Sequence, residues 1–343
     1  MVIRVSNQFD YEAFSPRVAV VGCGGQGSNL VNRLCVSGIK SASTIAINTD
    51  LAHLRMIKAD KKVLIGKNLT NGLGAGGFPE IGAKCAEVSK PDIEKVLEGY
   101  NLVFVAAGMG GGTGTGSAPI AAKIAKEQGA TVIGMVTYPF ALERSRSAKA
   151  EWGIQQLTKE ADAVIVIENQ LLLSYVPNLP MERAFELSDN ITGNAVKGIA
   201  DTIMFPSLIN LDFADLRTIV ANTGTAVISI GTGSGAGRVQ QAINATRSHP
   251  LLTVDYDGAK GAMVHVSGGG DLTIEEATQI GAGVTDGLAG DANVIFGAKL
   301  IPEMRDQIRV MSIVTGVKAK FGERRKTATE VEALRVENLG KIF

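Results

Sequence analysis

Three short runs of glycine constrain this chain more than any other feature. Gly22-Cys23-Gly24-Gly25-Gln26-Gly27, Gly72-Leu73-Gly74-Ala75-Gly76-Gly77 and Gly108-Met109-Gly110-Gly111-Gly112-Thr113-Gly114-Thr115-Gly116 hold 14 of the 41 glycines in 343 residues. Outside them glycine falls to about 8%, close to the ordinary level. The first and third runs each follow a short apolar, β-branched segment and precede a helical pattern. Glycine at such a junction permits a tight turn. It also lets successive backbone N–H groups approach an anion at a helix start, where the dipole favours negative charge.

The segments around these runs alternate in type. Strands are expected at residues 17–21, 44–48, 62–65, 102–106, 131–137 and 163–167, and helices at 28–37, 50–57, 79–89, 92–98, 117–128 and 145–159. Strands that are continuously apolar, separated by helices, predict a doubly wound α/β domain with a parallel sheet covered on both faces. Ligands bind at the carboxyl ends of such strands. A long helical pattern follows at residues 181–205, with Ala184, Leu187, Ile191, Ala195, Val196, Ile199 and Ile203 on one stripe, and Pro206 ends it. Beyond it, helices at 212–221, from 237 and at 274–288 mix with strands at 225–230, 262–267, 292–298 and 308–315. This reads as a smaller α+β domain. The expected division is a nucleotide-binding domain at 1–180, a central helix at 181–206, a second domain at 207–317 and a charged tail at 318–343 with a short helix at 331–339.

Composition removes several classes of function. Lys plus Arg and Asp plus Glu both number 34, so no overall field draws the chain to nucleic acid or anionic lipid. Cys23, Cys35 and Cys85 suit neither a disulfide framework nor a zinc site, and His53, His249 and His265 are isolated and read as structural or surface residues. The opening MVIRVSNQFDYEAF carries acids and no apolar core, so it is not read as a signal peptide. Residues 99–122 are uncharged, but seven glycines and Pro119 interrupt them. A membrane span is not expected there, and the chain reads as cytoplasmic.

The chemistry points to nucleotide phosphates. The first run matches G-x-G-x-x-G, and Asp50 ends the second strand where a dinucleotide fold places its ribose-binding acid, which leaves an NAD-dependent dehydrogenase as one reading. Three glycine runs point instead to a mononucleotide triphosphate. There is no G-x-x-x-x-G-K-[ST], so no lysine supplies charge to the phosphates. Backbone donors, the hydroxyls of Thr113 and Thr115, and Mg²⁺ held mainly by the phosphates would do so, with no protein metal ligand assigned.

With these residues in view, the chain resembles the tubulin/FtsZ family. Gly110-Gly-Gly-Thr-Gly-Thr-Gly116 looks like the family's phosphate loop and Asn210-Leu-Asp212-Phe-Ala-Asp215 like its synergy loop. Asn48-Thr49-Asp50 and Gly72-Leu-Gly-Ala-Gly76 stand in the family order, across about residues 17–316. The resemblance implies a GTP/GDP-binding, polymerising GTPase of cell division. Its subunits would stack head to tail, and the second domain would act as an activation domain. It places Gly24, Gly25, Gln26, Gly27, Ser28, Asn29, Asn48, Ala75, Gly76, Gly110, Gly111, Gly112, Thr113, Gly114, Thr115 and Gly116 around the phosphates. Asp189 takes the base-reading position, because a carboxylate can accept the paired N1–H and N2–H donors of guanine. Asn190 is the alternative reader if the register shifts by one. Phe185 would stack on the base, Glu143 and Arg146 would hold the ribose, and Asn169 would contact sugar or base. Arg146 fits only if its loop is one residue shorter than the familiar bacterial spacing.

Asn210, Asp212 and Asp215 carry the groups that could position an attacking water. They lie past a helix of 25 residues, roughly 37 Å long, so they must reach the nucleotide of a neighbouring subunit and act in trans. A non-polymerising scaffold that binds GTP remains a second reading. The chain ends Glu337-Asn-Leu-Gly-Lys-Ile-Phe343. Leu339, Ile342 and Phe343 could dock in the groove of a membrane adaptor, which would bring the protein to the inner face of the membrane without insertion.

Overall fold

The apolar runs form strands that bury both faces. In the computed structural model, which describes residues 15–170, 180–221, 223–247, 254–256 and 258–319, the first part begins β1 (Val18–Cys23), α1 (Gly24–Val36), β2 (Ser43–Asn48), α2 (Leu51–Met56), β3 (Lys61–Leu64) and α3 (Lys67–Thr70). It continues through α4 (Pro79–Val88), α5 (Lys90–Leu97), β4 (Leu102–Gly108), α6 (Thr113–Glu127), β5 (Thr131–Tyr138), α7 (Arg144–Glu160) and β6 (Ala163–Glu168). A spine helix (Met181–Met204) then leads to a short helix (Phe213–Val220), β7 (Gly224–Ser234) and a helix at Arg238–Arg247. β8 (Val254–Asp255), β9 (Gly261–Gly268), a helix at Ile274–Thr285, β10 (Asn293–Leu300), β11 (Gln307–Thr315) and β12 (Lys318–Ala319) complete the described chain.

Alternation across β1 shows why its sequence is apolar throughout. Val18 and Val20 join the core under α1 and the spine helix, whereas Ala19, Val21 and Cys23 join the core under α4 to α7. Phe104, fully buried on β4, falls in the first of these cores, with Val103 and Val105 in the second. On the spine helix, Ala195, Val196, Ile199 and Ala200 are buried with Leu30, Val31 and Leu34 of α1. The 3.6-residue stripe thus becomes one wall of the first core.

The sheet order is β10-β9-β11-β7-β6-β5-β4-β1-β2-β3. Neighbours from β3 to β7 are parallel, β11 runs antiparallel to β7 and β9, and β10 is parallel to β9. The smaller α+β part therefore extends the first sheet instead of closing one of its own. The join is narrow: only Ala163↔Gly224, Val164↔Thr225 and Ile165↔Ala226 pair across β6 and β7.

Helix starts depart most from the sequence reading. α1 begins at Gly24 where residue 28 was expected, and α6 begins at Thr113 where residue 117 was expected. Glycine costs about 1 kcal/mol in a helix, so propensity argues against these first turns and the packing of the glycine runs against one another overrides it. The expected helix at 331–339, His249 and the apolar tail residues Leu339, Ile342 and Phe343 lie outside the described residues. Among the described residues, no helix is long and apolar enough to cross a membrane.

Candidate functional site

The strand order changes direction at β1, which has β2 on one side and β4 on the other. Such a switch point opens a crevice at the carboxyl ends of the strands. α1 and α6 both start there, with N-cap residues Cys23 and Gly112, no side-chain cap and no acid in the first turn. A helix start leaves up to four N–H groups without helical partners and carries about half a positive charge. Two such starts make the crevice an anion site built from backbone.

The glycine runs are what let these starts come together. Gly24 has φ +72°, and a Cβ built on it would lie 2.6 Å from the amide nitrogen of Gly114. A Cβ on Gly112 would come within 2.9 Å of Ala75 Cβ and of the Phe78 nitrogen, which brings in the Gly72–Gly77 run. Thr49 and Thr113 share a hydroxyl hydrogen bond of 2.6 Å, and Gly74 N–H donates to the Thr49 carbonyl at 3.2 Å. Lys149 of α7 donates to the Gly77 carbonyl at 2.7 Å. Gly25, Asn29 and Gly76 stay exposed on the rim, while Ser28, Ala75, Gly112, Thr113 and Gly114 are buried below it.

Polar side chains stiffen the rim. Asn48 Oδ1 accepts from the N–H groups of Thr49 and Asp50, and its amide nitrogen lies 3.3 Å from His53 Nδ1. His53 Nε2 lies 3.0 Å from Asn29 Oδ1. Both contacts fit one neutral tautomer, with Nε2–H donating to Asn29 and Nδ1 accepting from Asn48. His53, read from sequence as structural, therefore braces two of the expected phosphate-site residues.

A second group of side chains gathers at the start of the spine helix. Asp189 is buried and Asn190 is exposed, so the helix register turns Asp189 toward the crevice. Its Oδ2 lies 3.4 Å from Arg33 Nε, and Arg33 also reaches Glu186 at 3.8 Å. Burial pushes the Asp189 carboxyl up to about 6 from an ordinary 3.8, against the pull of Arg33. Phe185 packs edge-on against Phe140, with ring centroids 5.2 Å apart. Ser188 donates to Asn169 Oδ1 at 2.7 Å, which ties the end of β6 to the spine. Glu143 accepts from Phe140 N–H at 3.1 Å and pairs with Arg146, whose backbone packs against Gly110.

Two of the expected phosphate contacts, Thr115 and Gly116, need correction. Thr115 is fully buried and its hydroxyl oxygen accepts from Gly110 N–H at 2.9 Å, so it shapes the loop and does not face an anion. Gly116 lies inside α6 against Pro79 and Ala83 of α4, where it is a helix-packing contact. Asp50, the residue that a dinucleotide fold would use at the ribose, caps α2 by accepting from His53 N–H at 3.0 Å through one carboxylate oxygen. Asp212 and Asp215 form a capping box: Asp212 Oδ1 accepts from Asp215 N–H at 2.8 Å, and Asp215 Oδ2 from Asp212 N–H at 3.1 Å. Asn210 Oδ1 accepts from Ser207 N–H at 2.6 Å. The spine helix of 24 residues spans roughly 36 Å, and these three residues follow its far end.

Comparison with known proteins matches this geometry to a family. Residues 17–177 match the model of the tubulin/FtsZ family GTPase domain, and residues 224–318 match the FtsZ family C-terminal domain. The chain belongs to the tubulin/FtsZ family. It is 56% identical over 306 residues to "Cell division protein FtsZ 2" of Methanocaldococcus jannaschii, covering 88% of this chain and 80% of that protein. It is 52% identical over 304 residues to the protein of the same name in Haloferax volcanii, covering 89% and 76%. Among solved structures, an empty FtsZ dimer from M. jannaschii superposes with a TM-score of 0.84 at 41% identity, covering 92% of this chain and 96% of the other. The strand order alone would also suit a dinucleotide fold. The match to a GTPase domain sets that reading aside.

Three residues of the crevice have roles that the sequence does not assign, although Thr49 stands inside the Asn48-Thr49-Asp50 motif. Thr49 bridges to the third glycine run through Thr113, Arg33 meets Asp189, and Lys149 holds the Gly72–Gly77 run. Arg33 also carries a local signal. It lies one helical turn beyond Asn29 and so shares its side of α1.

Proposed function

We propose that the crevice binds GTP and that the chain assembles head to tail, with Asn210, Asp212 and Asp215 of one subunit completing hydrolysis at the nucleotide of the next. The observation that carries this reading is the pair of uncapped helix starts brought together by three glycine runs. The N–H groups of Gly24 to Ser28 and of Gly112 to Gly114 would bind the phosphates, with Ala75 and Gly76 closing over the distal end. Asp189 accepts from guanine N1–H and N2–H, Phe185 packs on the base, Asn169 touches sugar or base, and Glu143 with Arg146 holds the ribose.

Among the described residues, no three His, Cys, Asp or Glu side chains cluster to hold a metal ion. Backbone donors carry only partial charge, so Mg²⁺ held by the phosphates themselves fits this site. When bound it would neutralise charge on the transferring phosphoryl group. The chain's own part is to fix the phosphates against two helix starts and to orient the water. The capping box uses one oxygen of each acid, and the second oxygen can accept from that water.

This reading divides the chain into a nucleotide-binding domain, the central helix and an activation domain. It places the protein in the cytoplasm at the division site, tethered through an adaptor on its C-terminal tail. Turnover per subunit, measured against protein concentration with pelleting in parallel, tests it. The rate should climb with concentration as polymer appears. A rate constant down to dilute protein would overturn assembly-dependent hydrolysis, and GTP-dependent binding without turnover would favour a scaffold.

A further inference from the structure

Asp189 and Arg33 form a pair that the glycine runs do not explain. The Asp189 side chain is only 7% exposed, with Leu30, Ala106 and Met135 beside it and only neutral polar groups, Gln26, Thr137 and Thr192, in the rest of the pocket. An isolated carboxylate there would take up a proton, because burial disfavours its charged form. Protonation changes what the group can recognise. An ionised carboxylate offers acceptors on both oxygens, whereas the acid presents one donor and accepts through the other oxygen. Guanine presents two adjacent donors. Only the ionised form can accept both.

We infer that Arg33 is a positioning residue for purine recognition, which keeps Asp189 ionised and oriented as a two-oxygen acceptor for guanine. This rests on the proposed binding of guanine at Asp189. Among the described residues, the charged and titratable groups facing the carboxyl are Arg33 on α1 and Glu186 on the spine helix, with the neutral amide of Gln26 beside them. Glu186 opposes Arg33 by repelling Asp189. It is drawn away by Arg183, whose guanidinium donates to it at 2.8 Å. Arg33 is thus divided between one acid that reads the base and one that competes for the cation. Its Nε contact at 3.4 Å leaves Asp189 further lone pairs for the base.

The test is the affinity of GDP and of inosine diphosphate between pH 5.5 and 8.5, by calorimetry on the full chain. Inosine diphosphate lacks the N2 amine, so it can give only one hydrogen bond to the carboxylate. In the wild type, GDP should be preferred about tenfold at pH 8, and the preference should fade as pH drops through about 6. Arg33→Met should move that midpoint up by about one unit, Arg33→Lys should leave it near the wild-type position, and Glu186→Gln should move it down. Thermal melts of each variant separate misfolding from altered recognition. An unchanged midpoint in Arg33→Met, or an equal loss for both nucleotides at every pH, would overturn the inference while leaving guanine binding intact. Failure of the wild type to bind GDP at any pH would overturn the underlying reading and the inference with it.

Discussion

In the N-terminal half, α1 and α6 begin on glycine runs with no side-chain cap and no acid in the first turn. In the C-terminal half, the helices at Phe213–Val220 and Ile274–Thr285 begin with complete capping boxes, Asp212 with Asp215 and Thr273 with Glu276. A cap is worth about 1 kcal/mol, so one half gives up stability that the other takes. The difference teaches where each half finds its counter-charge. The N-terminal half leaves two positive helix ends for an anion from outside, and the C-terminal half satisfies its helices with its own acids. On the proposed reading, its acids at Asp212 and Asp215 meet a substrate only when another subunit's nucleotide arrives.

The comparison can be broken most forcefully at Asp212. Asn caps helices about as well as Asp, so Asp212→Asn should cut GTP turnover about 1,000-fold, within the range for losing a general acid–base group. Melting temperature and GDP affinity should stay near wild type. A parallel loss of stability would mean that the acid serves its helix alone. Gly24→Ala should weaken GDP binding by about 100-fold, because a left-handed alanine and a displaced helix start each cost about 1–3 kcal/mol. Calorimetry measures this directly, and binding within a few-fold of wild type would show that the close approach to Gly114 is not required.

Titration sharpens the contrast, because each half holds one buried group displaced in the opposite sense. Asp189 is raised to about 6 by burial, so the folded chain binds its proton more tightly than the unfolded chain. Between about pH 4 and 6 it makes stability fall as pH rises. His265 on β9 is buried, and among the described residues its Nε2 has no hydrogen-bond partner. Burial, helped by Lys299, lowers it from 6.5 to about 4, so it makes stability rise with pH over that window. Each effect is limited to roughly 2–3 kcal/mol. Urea unfolding of Asp189→Asn and His265→Gln against wild type at pH 4.5 and 6.5 should give differences of opposite sign. The smallest expected effect is at Thr273. Thr273→Ala should cost about 1 kcal/mol of stability and leave turnover unchanged, as a cap outside the site should.

How much of this could be read from the sequence follows from where each signal lies. The glycine runs, the apolar strands and the spine stripe are local patterns, and each becomes the element it predicts. The first turns of α1 and α6 were read as loop, because helix propensity disfavours glycine and the contacts that override it come from another run. Thr115 and Gly116 share a motif with Gly112, Thr113 and Gly114, which open α6 beside the crevice. Only their place on α6, packed inward against the loop and against α4, separates them. Arg33 was missed because its partner lies 156 residues along the chain. The acids of the synergy loop were legible as chemistry, but their second use as a helix cap needed coordinates.

A mixing experiment tests most directly whether the two halves complete each other across subunits. Gly24→Ala retains the acids but lacks a working crevice, and Asp212→Asn retains the crevice but lacks a working acid. Combined in equal amounts with GTP, they should hydrolyse it at a substantial fraction of the wild-type rate, because the Gly24→Ala subunit offers its acids to the Asp212→Asn subunit's nucleotide. Turnover no greater than the sum of the two variants alone would contradict an active site shared between subunits.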